Sequence, residues 1–209
     1  MAPSPEPQPG LRIGTALQLL VAAVAVMWAV EIVDTLLLGS RLQANGIQPR
    51  EAGGLDGILW APWLHGSFGH LLSNTVPFVV LGGLVALRGL DRLLSVTAIV
   101  IVVGGGLTWL FAGSGNHLGA SGIVFGYFGA LIGSAIWERR LATLAAVLVA
   151  LMLYSGMVVG LVPQERISWE GHLFGLLAGL LAARLLARPP EPPVDVPEPW
   201  EADRPWLEP

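Results

Sequence analysis

The chain has 209 residues, 54% of them hydrophobic and 12% charged, with a mean hydropathy of +0.67 and a formal net charge of −4. A soluble domain carries about twice that charged fraction, so the composition excludes an ordinary soluble globule and points to lipid as the solvent. All 11 basic residues are arginines in no basic stripe, which argues against nucleic-acid binding, and the lack of cysteine excludes disulfides, a thiol nucleophile and a thiolate metal site.

In chain order, residues 1–14 open with the Pro-rich "MAPSPEPQPG". This segment reads as a disordered cytoplasmic N-terminus. Six apolar spans follow, within a membrane domain of residues 15–187. They run Thr15 to Leu38, Phe68 to Leu87, Leu93 to Phe111, Ala120 to Trp137, Leu141 to Leu161 and Trp169 to Ala187. Each approaches the roughly 20 residues that a helix needs to cross a bilayer core. The first span does not read as a signal peptide: it is long, only Arg12 precedes it, and it ends in Glu31 and Asp34. Those two acids read as a snorkelling or interhelical pair. Residues 188–209 are Pro-rich and acidic, and read as a disordered cytoplasmic tail.

Arginine placement predicts the orientation. With a cytoplasmic N-terminus, Arg12, Arg88, Arg92, Arg139, Arg140, Arg184, Arg188 and Arg204 lie inside, and Arg41, Arg50 and Arg166 outside. That asymmetry favours both termini in the cytoplasm, and three loops, 39–67, 112–119 and 162–168, on the outer side. The first of these is long and holds Trp60 and Trp63, which suggests a segment resting at the lipid interface. Asp91, between Arg88 and Arg92, reads as a solvated turn residue, and His117 as a solvated loop histidine, with lining of the substrate entrance as the alternative.

Three stretches carry candidate chemistry. "HGSFGHLLSN" places His70 and Asn74 four apart, on one helical face of an otherwise apolar span. Intramembrane polar groups need partners or a cavity. "GASGIVFG" places Ser121 at the start of a span whose Gly122, Gly126, Gly129 and Gly133 share a face. "WEGHLFGLLAG" places His172 on the same face as Gly175 and Gly179. Two glycine-lined faces allow two helices to approach closely, and if these two meet, Ser121 and His172 become neighbours. A serine hydroxyl then has its base, and the Ser121 amide, Asn74 and His70 are candidate donors to an oxyanion. Glu170 is two residues from His172 and cannot face it, so a dyad is expected rather than a triad.

Together and in this order, these three motifs resemble the rhomboid intramembrane serine proteases over about Trp60 to Leu186. The resemblance implies an all-α membrane protein: a compact bundle of six transmembrane helices with a water-filled cavity open to the outside. It implies Ser121 as nucleophile and His172 as base, with His70 and Asn74 in the oxyanion hole. His65 matches a family histidine whose hydrogen bonding shapes the site, and Gly119 belongs to the same site-shaping set. Phe125 stands where the family often has a Tyr stacked on the histidine, and Gly171 where Ala often precedes it. A Trp-Arg pair common in the first loop is missing. The implied substrates are transmembrane proteins cut near the outer end of a helix that unwinds readily. The implied location is the bacterial cell membrane, with no cofactor, no metal and lipid as the surrounding partner. A scaffold that binds membrane proteins without cutting them is the alternative, and it would be expected to lack the Ser or the His. A metalloprotease would want His-Glu-x-x-His, and an aspartyl protease two facing aspartates; neither is present.

Overall fold

The computed structural model describes residues 9–138, 141–153, 156–164 and 167–187. Among them there are helices, turns and one isolated bridge between Ile47 and His117, but no strand. Helices occupy all six expected positions. We number them α1 (Pro9–Val33, continued by a π-helical turn at Asp34–Leu38), α2 (Phe68–Ala86), α3 (Leu90–Phe111, with a π-helical stretch at Val100–Gly104), α4 (Ser121–Glu138), α5 (Leu141–Leu153) and α6 (Trp169–Leu185). Four meet the length and apolarity required to cross a membrane: Ile13–Leu38, Phe68–Ala86, Leu90–Phe111 and Ser121–Glu138. α6, with 17 residues, lies at the short limit of the spanning range, roughly 17–25 residues. α5 has 13 residues and is followed by a helical turn at Gly156–Val159.

The outward faces are apolar. Leu17, Val21, Leu36 and Leu37 on α1, Leu72 and Val76 on α2, Val102 on α3 and Leu148 and Met152 on α5 are all exposed. Water would penalise such a surface, whereas lipid tails are as apolar as Leu. Cohesion must therefore come from close packing and from interhelical hydrogen bonds of about 1 kcal/mol each. Trp28 Nε1 of α1 donates to Thr75 Oγ1 of α2 at 3.2 Å, and Thr97 of α3 meets the Tyr127 hydroxyl of α4 at 2.8 Å.

α4 is the central element, and every residue from Ile123 to Leu131 is buried. Its tightest neighbour is α6. A Cβ on Gly175 would collide with the Gly122 carbonyl, one on Gly179 with the Gly126 carbonyl, and one on Gly129 with the Leu176 carbonyl. The glycines thus bring backbone against backbone, as small residues do in membrane helix pairs. Gly126 has a second neighbour, because its own missing side chain is replaced by Val100 from the π-helical stretch of α3. α3 therefore wedges against the same seam from the side.

Three findings differ from the sequence reading. α1 is already helical at Pro9, the first described residue, ahead of the expected Thr15, and residues 1–8 lie outside the described residues. Glu31 and Asp34 are 1% and 2% exposed. They do not snorkel: Asp34 Oδ1 accepts from the Leu42 amide at 2.9 Å, and Thr35 Oγ1 donates to Glu31 Oε1 at 3.4 Å, which ties the chain as it leaves the helix. The long first loop is partly a docked structure. Its Arg50 guanidinium donates to the Ala112 carbonyl at 2.7 Å, and Ile47 exchanges backbone hydrogen bonds of 2.8 and 2.9 Å with His117, while Trp60 remains exposed. The C-terminal tail, Arg139, Arg140 and Arg166 lie outside the described residues.

Candidate active site

Residues of the loops 39–67, 112–120, 160–164 and 167–168 gather at one end of the bundle, around a cavity of about 960 Å³. Ser121, His172, His70, Asn74 and Phe125 all line it. The glycine seam between α4 and α6 begins one residue beyond Ser121, so both chains reach this end close together. Ser121 Oγ lies 2.9 Å from His172 Nε2.

The other ring nitrogen sets the direction of that bond. His172 Nδ1 lies 2.7 Å from the Gly160 carbonyl oxygen, which can only accept. Nδ1 therefore carries the proton, Nε2 presents its lone pair, and the Ser121 hydroxyl donates to it. Phe125, one turn along α4 from Ser121, stacks on the imidazole with ring centroids 4.3 Å apart and planes 10° from parallel. The ring is held on one face by an aromatic, at one nitrogen by a carbonyl and at the other by the serine.

α2 supplies the opposite wall. Ser67 caps the helix, its hydroxyl accepting from the His70 amide at 3.1 Å. His70 Nδ1 accepts from the Gly66 amide at 3.4 Å, which leaves Nε2 as the N–H donor. Asn74, one turn further, is 6% exposed, and its side-chain Nδ2 has no hydrogen-bond partner. An unpaired buried donor costs about 1–3 kcal/mol, so such a group calls for an explanation.

Gly119 explains how the two walls approach. Its φ of +113° is one that side-chain-bearing residues rarely adopt, and a Cβ there would lie 2.7 and 2.8 Å from His70 Cε1 and Nε2 and 3.4 Å from Asn74 Nδ2. Only glycine leaves the His70 and Asn74 donors open toward the start of α4. His65 fixes the same corner from below. Its Nε2 accepts from the Ala120 amide at 3.3 Å, and its ring meets His70 edge-on at 5.2 Å. Burial, with the nearby His70 adding to it, pushes the His65 pKa down to about 4, against an opposing pull from the Trp63 backbone. His65 is thus neutral near pH 7 and can accept from Ala120.

Glu170 turns away from His172 and accepts from the Gly113 amide at 3.2 Å. His117 is not a freely solvated loop residue. It is half-buried, with Nδ1 2.6 Å from Ser168 Oγ and Nε2 3.2 Å from the Gly113 carbonyl. Ser168 comes from another loop, so a reading of His117's own loop cannot reveal it. Gly160 is the site group that the sequence reading missed, because a backbone carbonyl leaves no signature in residue type.

A family model of the Rhomboid domain matches residues 53–189, which contain every one of these side chains. The chain belongs to the rhomboid family. It is an integral membrane protein, a mostly helical bundle of that family. Among this rhomboid's relatives is an uncharacterized protein of Mycobacterium tuberculosis, 41% identical over 176 residues, covering 79% of this chain and 73% of the relative. An uncharacterized protein of Mycobacterium leprae is 39% identical over 175 residues, covering 79% and 69%. A RHOMBOID-like protein of Arabidopsis thaliana is 30% identical over 138 residues, covering 61% of this chain and 43% of that longer one.

Proposed function

We propose that this rhomboid is an intramembrane serine endopeptidase that cleaves transmembrane protein substrates with a Ser121–His172 dyad. The observation that carries the reading is the 2.9 Å contact between Ser121 Oγ and the unprotonated nitrogen of His172, inside an open cavity. In the first step Ser121 Oγ attacks the scissile carbonyl carbon while its proton passes to His172 Nε2. The carbonyl oxygen becomes an oxyanion. Asn74 Nδ2, His70 Nε2 and the first amide of α4 are its donors, and the unpaired state of Asn74 is what a donor awaiting charge would show. Collapse breaks the C–N bond as His172 returns its proton to the leaving amine. Water then gives its proton to His172 as its oxygen attacks the acyl carbon, and collapse breaks the ester C–O bond while His172 returns the proton to Ser121 Oγ, releasing the new carboxyl terminus.

In this reading His65 and Gly119 shape the donor corner and Phe125 holds the imidazole plane. The reaction uses no cofactor and no metal. The protein sits in a bacterial cell membrane with both termini cytoplasmic, so the cavity opens outward. Cleavage falls near the outer end of the substrate helix, where the strand can unwind into the cavity. The test is a fluorophosphonate serine probe with peptide mapping of the full chain in detergent. Wild type should be labelled at Ser121 and Ser121→Ala should not; equal labelling of both overturns the reading.

A further inference from the structure

The dyad lacks an acid, yet His172 is held in a single tautomer, and the group that holds it does not belong to α6. The Gly160 carbonyl lies at the end of the helical turn Gly156–Val159, twelve residues before His172 in a separate segment. That turn has its own internal ties. The Gly160 amide donates to the Gly156 carbonyl at 3.2 Å, and the Gln164 side-chain amide donates to the Val159 carbonyl at 2.7 Å. The neighbouring carbonyl is thus occupied locally, while the Gly160 carbonyl points to the imidazole. Gly156, Gly160 and Gln164 also line the cavity, so the segment that orients the base is part of the wall that a substrate meets.

We propose that the Gly160 carbonyl is a positioning group that completes the dyad: it fixes His172 with the proton on Nδ1, so that the site is competent only while the 156–164 turn is seated against α6. This rests on the dyad reading and adds a condition to it. A neutral imidazole without that acceptor divides between two tautomers, and the one with its proton on Nε2 cannot take a proton from Ser121. Displacing the turn therefore disables the base without touching Ser121, His172 or the oxyanion donors.

A backbone ester tests this, because no side-chain change removes a carbonyl. Replacing Leu161 by its α-hydroxy analogue makes the Gly160 carbonyl an ester carbonyl, a weaker acceptor. The same replacement at Val162 disturbs the same turn, removing the Val162 amide that donates to Val159, but leaves the Gly160 carbonyl an amide. Each full-length protein, labelled with 15N-histidine in lipid nanodiscs, is measured for His172 tautomer by 15N NMR and for fluorophosphonate labelling rate, with melting temperature as the folding control. Orientation of a general base is part of an effect of about 100- to 10,000-fold, so weakening one acceptor should slow labelling about 5- to 10-fold. The Leu161 ester should show this loss together with a mixture of His172 tautomers at unchanged melting temperature, and the Val162 ester should show neither. A Leu161 ester with wild-type tautomer and rate, or equal loss in both esters, overturns the proposal while Ser121-dependent labelling still stands. Labelling that persists in Ser121→Ala overturns the dyad itself and the proposal with it.

Discussion

The two ends of α4 carry polar groups in opposite states. At the Glu138 end, the carboxylate pairs with Arg88 and, at 2.6 Å, with Arg92; Arg92 also donates to Ser134 Oγ at 3.0 Å and to the Leu186 carbonyl of the chain leaving α6. Donors and acceptors there close on one another. At the Ser121 end, Asn74 Nδ2 is buried without a partner, His70 lines the cavity beside Gly119, and a hydroxyl donates to an unprotonated imidazole at the edge of that cavity. Polar groups inside a membrane protein cost free energy unless satisfied, and the Glu138 end shows that this bundle can satisfy them. The open donors at the other end are therefore read as groups whose partner is a substrate.

That contrast makes graded predictions. The largest effect is expected at Ser121 and His172. Ser121→Ala and His172→Ala should each remove cleavage of a model transmembrane substrate, and the double variant should be no worse than either single, because the two groups act as a unit. Melting temperature should be unchanged in all three, and a clearly additive loss would contradict a dyad.

Next comes Glu138→Ala, which should do the reverse. Removing one partner of a buried ion pair costs about 3–5 kcal/mol, and about 3 is expected here because the two guanidiniums keep some solvent access. Melting temperature should fall strongly while turnover per folded molecule stays near wild type. A variant that melts normally but turns over slowly would erase the distinction between the two ends.

Asn74→Ala and His70→Ala should lower turnover by about 10-fold or more, part of the larger loss typical of an oxyanion donor being hidden if substrate entry limits the rate. Apparent affinity should change little. Asn74→Ala should not lower the melting temperature, because the wild-type Nδ2 has no hydrogen-bond partner to lose. Reduced stability with normal turnover would move both residues to a structural role.

The smallest effect concerns His65. Its folded pKa, about 4, lies below the ordinary 6.5, so the unfolded chain binds more protons between those values. Stability contributed by neutral His65 is present above about 6.5 and is lost as pH falls toward about 4. Thermal melts in detergent should drop across that window, and His65→Gln, which keeps a polar side chain without titrating, should flatten the drop. An identical pH dependence in both would show that other groups set it.

Much of this arrangement is legible in the sequence because glycine spacing is a geometric statement. Gly122, Gly126 and Gly129 against Gly175 and Gly179 can face each other in few ways, and that contact brings the Ser121 and His172 ends of the two helices together. Other parts are hidden for physical reasons. Glu138 lies just past the expected fourth span and nothing near it marks its pairing, since its arginine partners are distant in sequence and meet it only through the α2–α3 turn. His117 has partners contributed by two loops. The Gly160 carbonyl is backbone, and any residue would offer one. The division of Gly126 between α6 and Val100 depends on the π-helical stretch of α3, which shifts the register of its side chains and has no compositional mark.

If Ser121, with His172 as its base, cuts a peptide bond inside the membrane, the cut must depend on both residues in a lipid bilayer. The direct measurement uses full-length protein reconstituted in liposomes with a single-span substrate whose outer helical end carries glycine and other helix-destabilising residues, with products mapped by mass spectrometry. Wild type should give one cut near that outer end, and Ser121→Ala and His172→Ala, equally well folded, should give none. The same cut made by Ser121→Ala, or no cut by wild type in any such substrate while the fluorophosphonate probe leaves Ser121 unlabelled, would contradict the account.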